Sequence, residues 1–450
     1  MGERIVVIGG NAAGMSAASA AKRVKKECEV LVLERDDFIS YASCSLPYYV
    51  SDDVKDISHL IALTPDMAEK ERGIGVLLGR EAVEIDVKSG KVHVRNLKEK
   101  RDENYEFDKL VLALGAHPVI PDVPGVDSYG IFTLRTLNDG LKIKEFIKNR
   151  APRQAVIIGG GYIGLELSES LVKRGIHVTI VEKMDRVLGN MDLEIINQVE
   201  DVIKKHGVNL LKGESLRGFE SKDGNVIAVI TENERIPCDL VVLAIGVKPN
   251  TEIARNAGIE LGVSQAISVD EMTRTNMENI YAAGDCAESI HLVTGKKVFI
   301  PLGTVANRQG RVAGENAAGK KSLFKGVLGT AMTKIFELEV ARTGLSSLEA
   351  EREKFDFVKV TIKGSSRSKA YPLGKPILIN YIVEKPTGLL LGAQMVGEEG
   401  VALRIGTVAS CIFNRMTVHE VASIDLGYAP PFATVWDPIL IAANEAIKRL

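Results

Sequence analysis

The chain has 450 residues, which is too long for one ordinary core and predicts about two to four domains. Its 57 Lys and Arg residues nearly balance its 59 Asp and Glu residues. We therefore expect no nucleic-acid partner and no membrane-surface binding, because both require a clustered basic excess. No run of 18 apolar residues and no signal-peptide pattern is present, so we expect a cytoplasmic protein that does not enter a membrane.

An internal duplication organises the first two thirds of the chain. Segments 4–34 and 155–182 share one plan: an apolar run, a glycine turn, a small-residue helix, a second apolar run and an acid. This plan predicts two βαβ units. Each unit is followed by a similar strand and turn, DKLVLALGAHP at 108–118 and DLVVLAIGVKP at 239–249. The repeat predicts two dinucleotide-binding domains.

The first glycine turn has the form G-x-G-x-x-G except at its middle glycine. It consists of Gly9, Gly10, Asn11, Ala12, Ala13 and Gly14. Glu34 lies 20 residues after Gly14, at a predicted strand end, where a carboxylate accepts hydrogen bonds from a ribose. Because Asn11 replaces the middle glycine, a degenerate half without a ligand stays open as an alternative.

Cys44 stands in the segment SYASCSLPYYV, ten residues after Glu34. That spacing predicts a position near the open edge of the first nucleotide domain. The small neighbours Ala42, Ser43 and Ser45 predict exposure, and a helix start there would favour the thiolate, the reactive form of cysteine. A small buried hydrophobe is the alternative. The five cysteines are widely spaced without a C-x-x-C pair, so we expect no metal site.

The second glycine turn matches the G-x-G-x-x-G pattern completely. Its residues are Gly159, Gly160, Gly161, Tyr162, Ile163 and Gly164. It follows the strand AVII and precedes an amphipathic segment, as a pyrophosphate-binding turn requires. Glu182 lies 18 residues beyond Gly164 and favours NADH over NADPH, because a carboxylate repels a 2′-phosphate. The nearby Lys183 and Arg186 weaken that preference, and a glycine turn without nucleotide is the alternative.

The last third of the chain differs from the first two. The segment NIYAAGD at 279–285 precedes a small-residue helix, VANRQGRVAGENAAG. From about residue 326 the sequence becomes rich in strand patterns and ends in a helix near 438–450. These changes predict a third domain.

These residues together resemble the pyridine nucleotide–disulfide oxidoreductases, specifically their single-cysteine branch of coenzyme A disulfide reductases, NADH oxidases, NADH peroxidases and persulfide or polysulfide reductases. The resemblance spans nearly the whole chain. It rests on the twin turns, the S-[FY]-x-x-C-x-x-P-Y pattern at 40–48, Y-A-A-G-D at 281–285 and D-L-G-Y-A-P-P-F at 425–432.

The resemblance implies an α/β fold with two Rossmann-like, three-layer ββα dinucleotide-binding domains and an α+β C-terminal dimerisation domain. The implied boundaries are 1–118 with 268–325 for the FAD domain, 119–267 for the NAD(P)H domain and 326–450 for the dimerisation domain. A homodimer is expected.

The resemblance also assigns roles. Cys44 would face the flavin opposite the nicotinamide, Asp285 would accept from the ribityl chain, and Tyr162 would cover the flavin, with Glu166 one turn on. The cofactor-binding positions implied for FAD and NADH or NADPH, with NADH favoured, are Gly9, Gly10, Asn11, Ala12, Ala13, Gly14, Glu34, Arg35, Ser43, Ala113, Gly115, Gly159, Gly161, Tyr162, Ile163, Gly164, Glu166, Glu182, Lys183, Gly246, Gly284 and Asp285.

Two tyrosines of the third domain match positions that act across the dimer in this family. Tyr428 lies in GYAPPF and Tyr371 in AYPLG, and phenols there would protonate a leaving thiolate. For either tyrosine, a packing role alone is the alternative.

The substrate class follows from what accompanies Cys44. The first turn carries Asn11 and Ala12 where related oxidases and peroxidases carry a histidine, which disfavours oxygen or peroxide as the substrate. Ser19, Lys22 and Arg23 stand where disulfide reductases bind coenzyme A phosphates, although a solvated helix face is an equal alternative. The chain ends at Leu450, so no appended rhodanese domain is expected.

We therefore expect reduction of coenzyme A disulfide or a related small disulfide, persulfide or polysulfide. An NAD(P)H oxidase and a flavoprotein that passes electrons to a redox partner protein stay open as alternatives.

Overall fold

The computed structural model describes residues 3–450. The first domain opens with a βαβ unit, because apolar runs of strand length flank a helix rich in alanine. Its elements up to the first crossing between domains are β1 (Arg4–Ile8), α1 (Ala12–Val24), β2 (Glu29–Glu34), α2 (Leu46–Val50), α3 (Pro65–Arg72), β3 (Gly75–Leu78), β4 (Arg80–Asp86), β5 (Lys91–Asn96), β6 (Arg101–Glu106), β7 (Lys109–Leu112) and β8 (Ala116–Pro118).

The second domain repeats this order. It contains β9 (Ile131–Thr133), α4 (Leu137–Arg150), β10 (Gln154–Ile158), α5 (Tyr162–Lys173), β11 (His177–Glu182), α6 (Leu193–Lys205), β12 (Asn209–Lys212), β13 (Leu216–Lys222), β14 (Asn225–Thr231), β15 (Arg235–Pro237), β16 (Leu240–Leu243) and β17 (Val247–Pro249).

The chain then returns to the first domain before building the third. The remaining elements are α7 (Glu252–Asn256), β18 (Ile280–Ala282), β19 (Ser289–Ile290), β20 (Lys297–Val298), α8 (Gly303–Ala317), β21 (Ala331–Ile335), β22 (Leu338–Gly344), α9 (Ser347–Arg352), β23 (Phe357–Ser365), β24 (Pro376–Glu384), β25 (Leu390–Gly397), α10 (Val401–Phe413), α11 (Val418–Ala422) and α12 (Pro438–Ile447). Across residues 3–450, no helix has the length and apolar character needed to cross a membrane.

The strands form two matching five-stranded parallel sheets, one five-stranded antiparallel sheet and four smaller antiparallel sheets. The first parallel sheet has the order β18-β7-β1-β2-β3 and the second β12-β11-β10-β16-β9. Each has a three-stranded antiparallel companion, β4-β5-β6 and β13-β14-β15 respectively. The third domain is an antiparallel sheet of order β21-β22-β25-β24-β23, against which α10 and α12 pack. This arrangement confirms the α/β class with two Rossmann-like domains and a separate C-terminal domain.

The crossing between the first two domains is a short antiparallel ribbon in which β8 pairs with β17. After Pro249 the chain packs on the first domain, because Ala254 and Ile259 are buried in the same apolar cluster as Val6 and Ile85. We therefore propose that the return crossing lies at Pro249, earlier than the predicted boundary at residue 267.

Small residues let α1 and α8 approach each other closely. A Cβ at Gly310 would overlap the carbonyl oxygen of Ala13, and a Cβ at Gly314 would overlap that of Ala17. The small-residue composition of both helices therefore has a packing cause. The consequence for function is that the N-terminus of α8, at Gly303, reaches the region of Cys44.

Candidate active site

The two glycine turns have the same backbone geometry. The first glycines, Gly9 and Gly159, have φ of 102° and 108°, a region that other residues rarely adopt. The last glycines, Gly14 and Gly164, cannot carry a Cβ, which would overlap the carbonyl oxygens of Gly9 and Gly159. Helices α1 and α5 begin at these turns, with Ala12 and Ala13, or Tyr162 and Ile163, in the first turn. Their free N–H groups would favour an anion, such as a pyrophosphate, at each sheet edge.

The two acids sit against their glycine turns in the same way. Glu34 accepts hydrogen bonds from the backbone N–H groups of Gly10 at 2.6 Å and Asp36 at 2.8 Å. Glu182 accepts from Gly160 at 2.7 Å and from the N–H two residues further on at 2.7 Å. Burial raises the pKa of Glu34, and the two backbone hydrogen bonds oppose that shift. Each carboxylate is thus fixed at the strand end where a ribose would lie.

A cavity of about 760 Å³ opens beside the first turn, within the range of about 300–1,000 Å³ usual for ligand pockets. The predicted positions that line it are Gly9, Gly10, Asn11, Glu34, Arg35, Ser43, Ala113 and Gly115. Four further basic residues of the lining were not predicted from the sequence: Arg80, Arg135, Lys248 and Arg255. A fixed carboxylate, a free helix N-terminus and basic side chains match the ribose and pyrophosphate of a dinucleotide, so these residues fit FAD.

Asp285 lies three residues after the end of β18 and forms an ion pair with Arg135. Arg135 Nη2 donates to Asp285 Oδ2 at 2.5 Å, and the Asp285 side chain is 11% exposed. The backbone N–H of Gly284 donates to Gln309 at 2.9 Å, and Gly284 has φ of 83°. The ion pair ties the segment before α4 to the first domain, next to the cavity.

Cys44 is exposed, whereas the other four cysteines are buried. It lies in a 3₁₀ turn, Ser43–Ser45, immediately before α2. A Cβ at Gly303 would lie 4.0 Å from Cys44 Sγ, so the N-terminus of α8 flanks the sulfur. The positive end of a helix dipole favours an anion at such a place. A helix start therefore lies beside Cys44, as predicted. Two helices contribute one each, because α2 begins just after Cys44 and α8 begins next to its sulfur.

From Cys44 a row of polar groups follows the surface between α1 and α8. Ser16 Oγ donates to Asn307 Oδ1 at 2.7 Å, and Asn307 donates to the carbonyl of Gly303 at 2.8 Å. Further along α1, Arg72 of α3 donates to Ser19 Oγ at 2.9 Å. Ser16, Asn307 and Arg72 were not predicted. Their only sequence signal was the polar spacing in two otherwise small-residue helices.

The three predicted substrate residues on α1 are in different environments. Ser19 is buried beneath Arg72. Lys22 is half-buried and donates to the backbone carbonyls of Lys26 and Cys28 at 3.1 and 2.7 Å. Arg23 is exposed. The structure thus adds the exposed Arg72 to this set.

On the second domain, α5 carries the residues predicted for the nicotinamide. Burial raises the pKa of the Tyr162 phenol. Glu166 is half-buried, and Thr333 Oγ1 of the third domain donates to it at 2.6 Å. Further from this point, Lys183 is exposed and Gly246 has φ of 108°. Arg186 is paired with Asp185 at 2.7 Å.

The two predicted tyrosines lie on the third domain, in two loops that a backbone hydrogen bond joins. Tyr371 is 40% exposed and Tyr428 is 46% exposed. The backbone N–H of Ser368 donates to the carbonyl of Pro430 at 3.2 Å, which joins the two loops. Within the described residues, neither phenol makes a hydrogen bond to the Cys44 segment of the same chain.

Comparison with known proteins agrees with this geometry. Residues 3–310 match the family model described as pyridine nucleotide-disulphide oxidoreductase, and residues 330–438 match the dimerisation domain of the same family. The chain is 42% identical over 441 residues to the NAD(P)H sulfur oxidoreductase (CoA-dependent) of Pyrococcus abyssi, covering 98% of this chain and 97% of the relative. It is 36% identical over 448 residues to an NADH oxidase of Methanocaldococcus jannaschii, covering 99% of each chain.

A solved structure extends the similarity to three dimensions. Reduced CoADR-RHD of Bacillus anthracis has a TM-score of 0.97 at 35% identity, covering 100% of this chain and 80% of that one. The chain therefore belongs to the pyridine nucleotide-disulphide oxidoreductase family, whose membership implies FAD and NAD(P)H as cofactors.

Proposed function

We propose that this protein uses NAD(P)H and FAD to reduce coenzyme A disulfide, or a related small disulfide, persulfide or polysulfide, through Cys44. One observation carries the proposal. Cys44 is exposed and lies between a dinucleotide-sized cavity, which its neighbour Ser43 lines, and the polar row that begins at Gly303. A single sulfur at that junction can meet electrons from one side and a sulfur substrate from the other.

The cofactor supplies two-electron transfer between nicotinamide and sulfur when it is bound. The residues that would hold it are those of the cavity: Glu34 at the ribose, the start of α1 at the pyrophosphate, and Arg135 with Asp285 near the reactive end. Glu182 favours NADH over NADPH, because its carboxylate is fixed by two backbone hydrogen bonds where a 2′-phosphate would need space and positive charge.

Cys44 would carry the sulfur chemistry. Its thiolate attacks one sulfur of the substrate disulfide, the S–S bond breaks, and the first thiol leaves with a proton. The mixed disulfide left on Cys44 then accepts two electrons that originate in NADH, and the second thiol leaves. In sum, NADH, one proton and one disulfide give NAD⁺ and two thiols. The start of α8 stabilises the negative charge on the sulfur in each step.

Recognition of a coenzyme A group would use the basic end of the polar row. Arg72 donates to Ser19, Arg23 lies one helical turn after Ser19 on α1, and both arginines are exposed, so both would contact phosphate oxygens. Lys22 adds positive charge nearby, although its ammonium already donates to two carbonyls. The relative from Pyrococcus abyssi carries the words "CoA-dependent" in its name, which supports this assignment.

A homodimer would complete the site. Tyr371 and Tyr428 lie in the domain that matches the family's dimerisation domain, and both are exposed. A second copy of the chain would bring these phenols to Cys44, where they would protonate the leaving thiolate.

The experiment compares Cys44→Ser with Ser45→Ala, a neighbour whose side chain makes no hydrogen bond within the described residues. We expect Cys44→Ser to lower NADH-dependent coenzyme A disulfide reduction by about 1,000-fold or more, as removal of a nucleophile does. Reduction of the bound flavin by NADH should continue in both variants. If neither the wild type nor Cys44→Ser reduces a disulfide, and Cys44→Ser keeps the full rate of NADH oxidation in air, the protein is an oxidase instead.

A further inference from the structure

Strand β21 of the third domain runs beside α5 of the NAD(P)H domain in the same chain. Thr333 on this strand is 8% exposed, and its hydroxyl donates to Glu166 Oε1 at 2.6 Å. Glu166 lies four residues after Tyr162 on α5, so the two side chains occupy one helix face. The dimerisation domain thus contacts the nicotinamide side of the site within its own chain.

A second contact fixes the register of β21 on α5. Glu169, one helical turn beyond Glu166, is 4% exposed. It accepts from the backbone N–H of Phe336 at 2.7 Å and from the Lys334 ammonium at 2.5 Å. Because β21 is held at both carboxylates, Thr333 cannot slide away from Glu166 without breaking a buried charge-assisted hydrogen bond.

Among the described side chains, Thr333 is the one that donates a hydrogen bond to the Glu166 carboxyl group. On α5, Glu169 faces it, and Lys173 is paired with Glu169 at 3.0 Å. On α2, Tyr48 lies close enough that the two glutamates raise its pKa further after burial. On β21, the Lys334 ammonium contacts Glu169.

These surroundings set the charge state of Glu166. Burial raises the pKa of Glu166, the Thr333 hydrogen bond lowers it, and Glu169 raises it again. Removing the Thr333 hydroxyl would leave a half-buried carboxylate beside another carboxylate without a donor, which favours its protonated form.

We propose that Thr333 is a positioning residue for hydride transfer, because its hydroxyl fixes the Glu166 carboxyl group beside Tyr162, where the nicotinamide ring is to lie. The assignment rests on the proposed function in two respects: NADH reduces the bound flavin, and its nicotinamide ring lies beside Tyr162. It does not depend on which sulfur compound is the substrate.

The test measures anaerobic flavin reduction by NADH against pH, together with the dissociation constant of NAD⁺, in the intact FAD-loaded protein. The variants are Thr333→Val, which removes the hydroxyl and keeps the shape, and Thr333→Ser, which keeps the hydroxyl. Thr343→Val is the matched control, because its buried hydroxyl bonds Thr330 at 2.7 Å in the same sheet and does not touch α5.

We expect Thr333→Val to reduce flavin about tenfold more slowly at neutral pH, the usual weight of a hydrogen bond to a charged group. The rate should recover at alkaline pH, where Glu166 ionises again. The pH dependence of the NAD⁺ dissociation constant should move in the same direction. Thr333→Ser should behave as the wild type. In a Glu166→Gln background, which has no carboxylate to hold, Thr333→Val should add no further effect.

Two results would overturn the assignment. One is a Thr333→Val profile identical to that of the wild type. The other is an equal shift in Thr343→Val, which would indicate a general effect on the sheet. If Thr333→Val fails to fold, the proposal is tested with Glu166→Gln. It is overturned if flavin reduction in Glu166→Gln depends on pH as it does in the wild type. If NADH does not reduce the flavin of the wild type, the proposed function is overturned as well. If NADH reduces the wild-type flavin normally and Thr333→Val has an unshifted pH profile, only the role of Thr333 is overturned.

Discussion

The two βαβ units of this chain diverge at the tenth residue after their acids. In the first unit, that residue after Glu34 is Cys44, which is exposed beside α8. In the second unit, that residue after Glu182 is Asp192, which is 3% exposed. Asp192 accepts from the N–H and hydroxyl of Ser347 at 3.1 and 2.6 Å. One unit therefore uses this position to expose the cysteine that we propose as the nucleophile, and the other uses it to attach the third domain.

The glycine turns differ less than their sequences suggest. The middle position is Asn11 in the first turn, with φ of −97°, and Gly161 in the second, with φ of −80°. Neither value requires glycine, and a Cβ at Gly161 would meet nothing within 4 Å. A side chain at this position is thus allowed by the fold. Glycine is therefore required at the two ends of the turn, whereas the fold accepts a side chain at its middle position.

The largest expected effect comes from filling the last glycine of each turn. Gly14→Ala should lower the FAD content of the purified protein, because the new Cβ overlaps the Gly9 carbonyl. Gly164→Ala should keep FAD and weaken NADH binding about tenfold or more, since overpacking costs about 1–3 kcal/mol. Flavin absorbance and NADH titration measure the two effects. Loss of FAD in Gly164→Ala would show that the two halves do not bind their ligands separately.

The next effect concerns the contact between Asp192 and Ser347, which attaches the third domain to the second. Asp192→Ala leaves the half-buried donors of Ser347 without this acceptor and should destabilise the third domain by about 1–2 kcal/mol. The chain has one tryptophan, Trp436, which lies in that domain, so urea unfolding followed by its fluorescence reports the change. Asp192→Asn keeps an acceptor and should cost less. Equal stability of Asp192→Ala and the wild type would mean that this junction does not hold the domain.

The duplicated turns, the acids and the cysteine were predictable, because each depends on residues close together in sequence. The class of fold followed from the repeat. The contacts that complete the site were not predictable, because they join distant segments. Arg135 meets Asp285 across 150 positions, and Thr333 meets Glu166 across 167. A threonine in a strand carries no local signal of which acid it will contact, and only the packing of β21 on α5 decides it.

A smaller effect tests whether the two acids are specific to their own ligands. Glu182→Gln removes the negative charge that we propose disfavours a 2′-phosphate, and it weakens the acceptor proposed for a ribose. We expect the ratio of NADPH to NADH efficiency to rise about tenfold, the scale of one hydrogen bond to a charged group. The matched control Glu34→Gln should leave this ratio unchanged and weaken FAD retention instead. Steady-state kinetics with both dinucleotides measures the ratio, and an unchanged ratio in Glu182→Gln would refute the role of this acid.

The smallest effect distinguishes the two antiparallel companion sheets. In the first, hydrogen bonds from Tyr105 and Asn96 hold the pKa of Glu103 at about 2, below its ordinary value of 4.5. A lowered carboxyl pKa stabilises the fold above the ordinary value, and the stabilisation is lost as the pH falls from 4.5 towards 2. In the second sheet, Glu232 pairs with Arg217 at an exposed site, with side chains 51% and 59% exposed.

Glu103→Gln should therefore lower the apparent Tm at neutral pH by about 2–4 °C, and the difference from the wild type should shrink as the pH is lowered towards 2. Glu232→Gln should change the Tm little at any pH, because exposed ion pairs contribute little. Thermal unfolding across a pH series measures both variants. If the Tm of Glu103→Gln is lowered equally at every pH, the side chain of Glu103 stabilises the sheet by packing rather than by its charge. Neither companion sheet would then be stabilised by the charge of its acid.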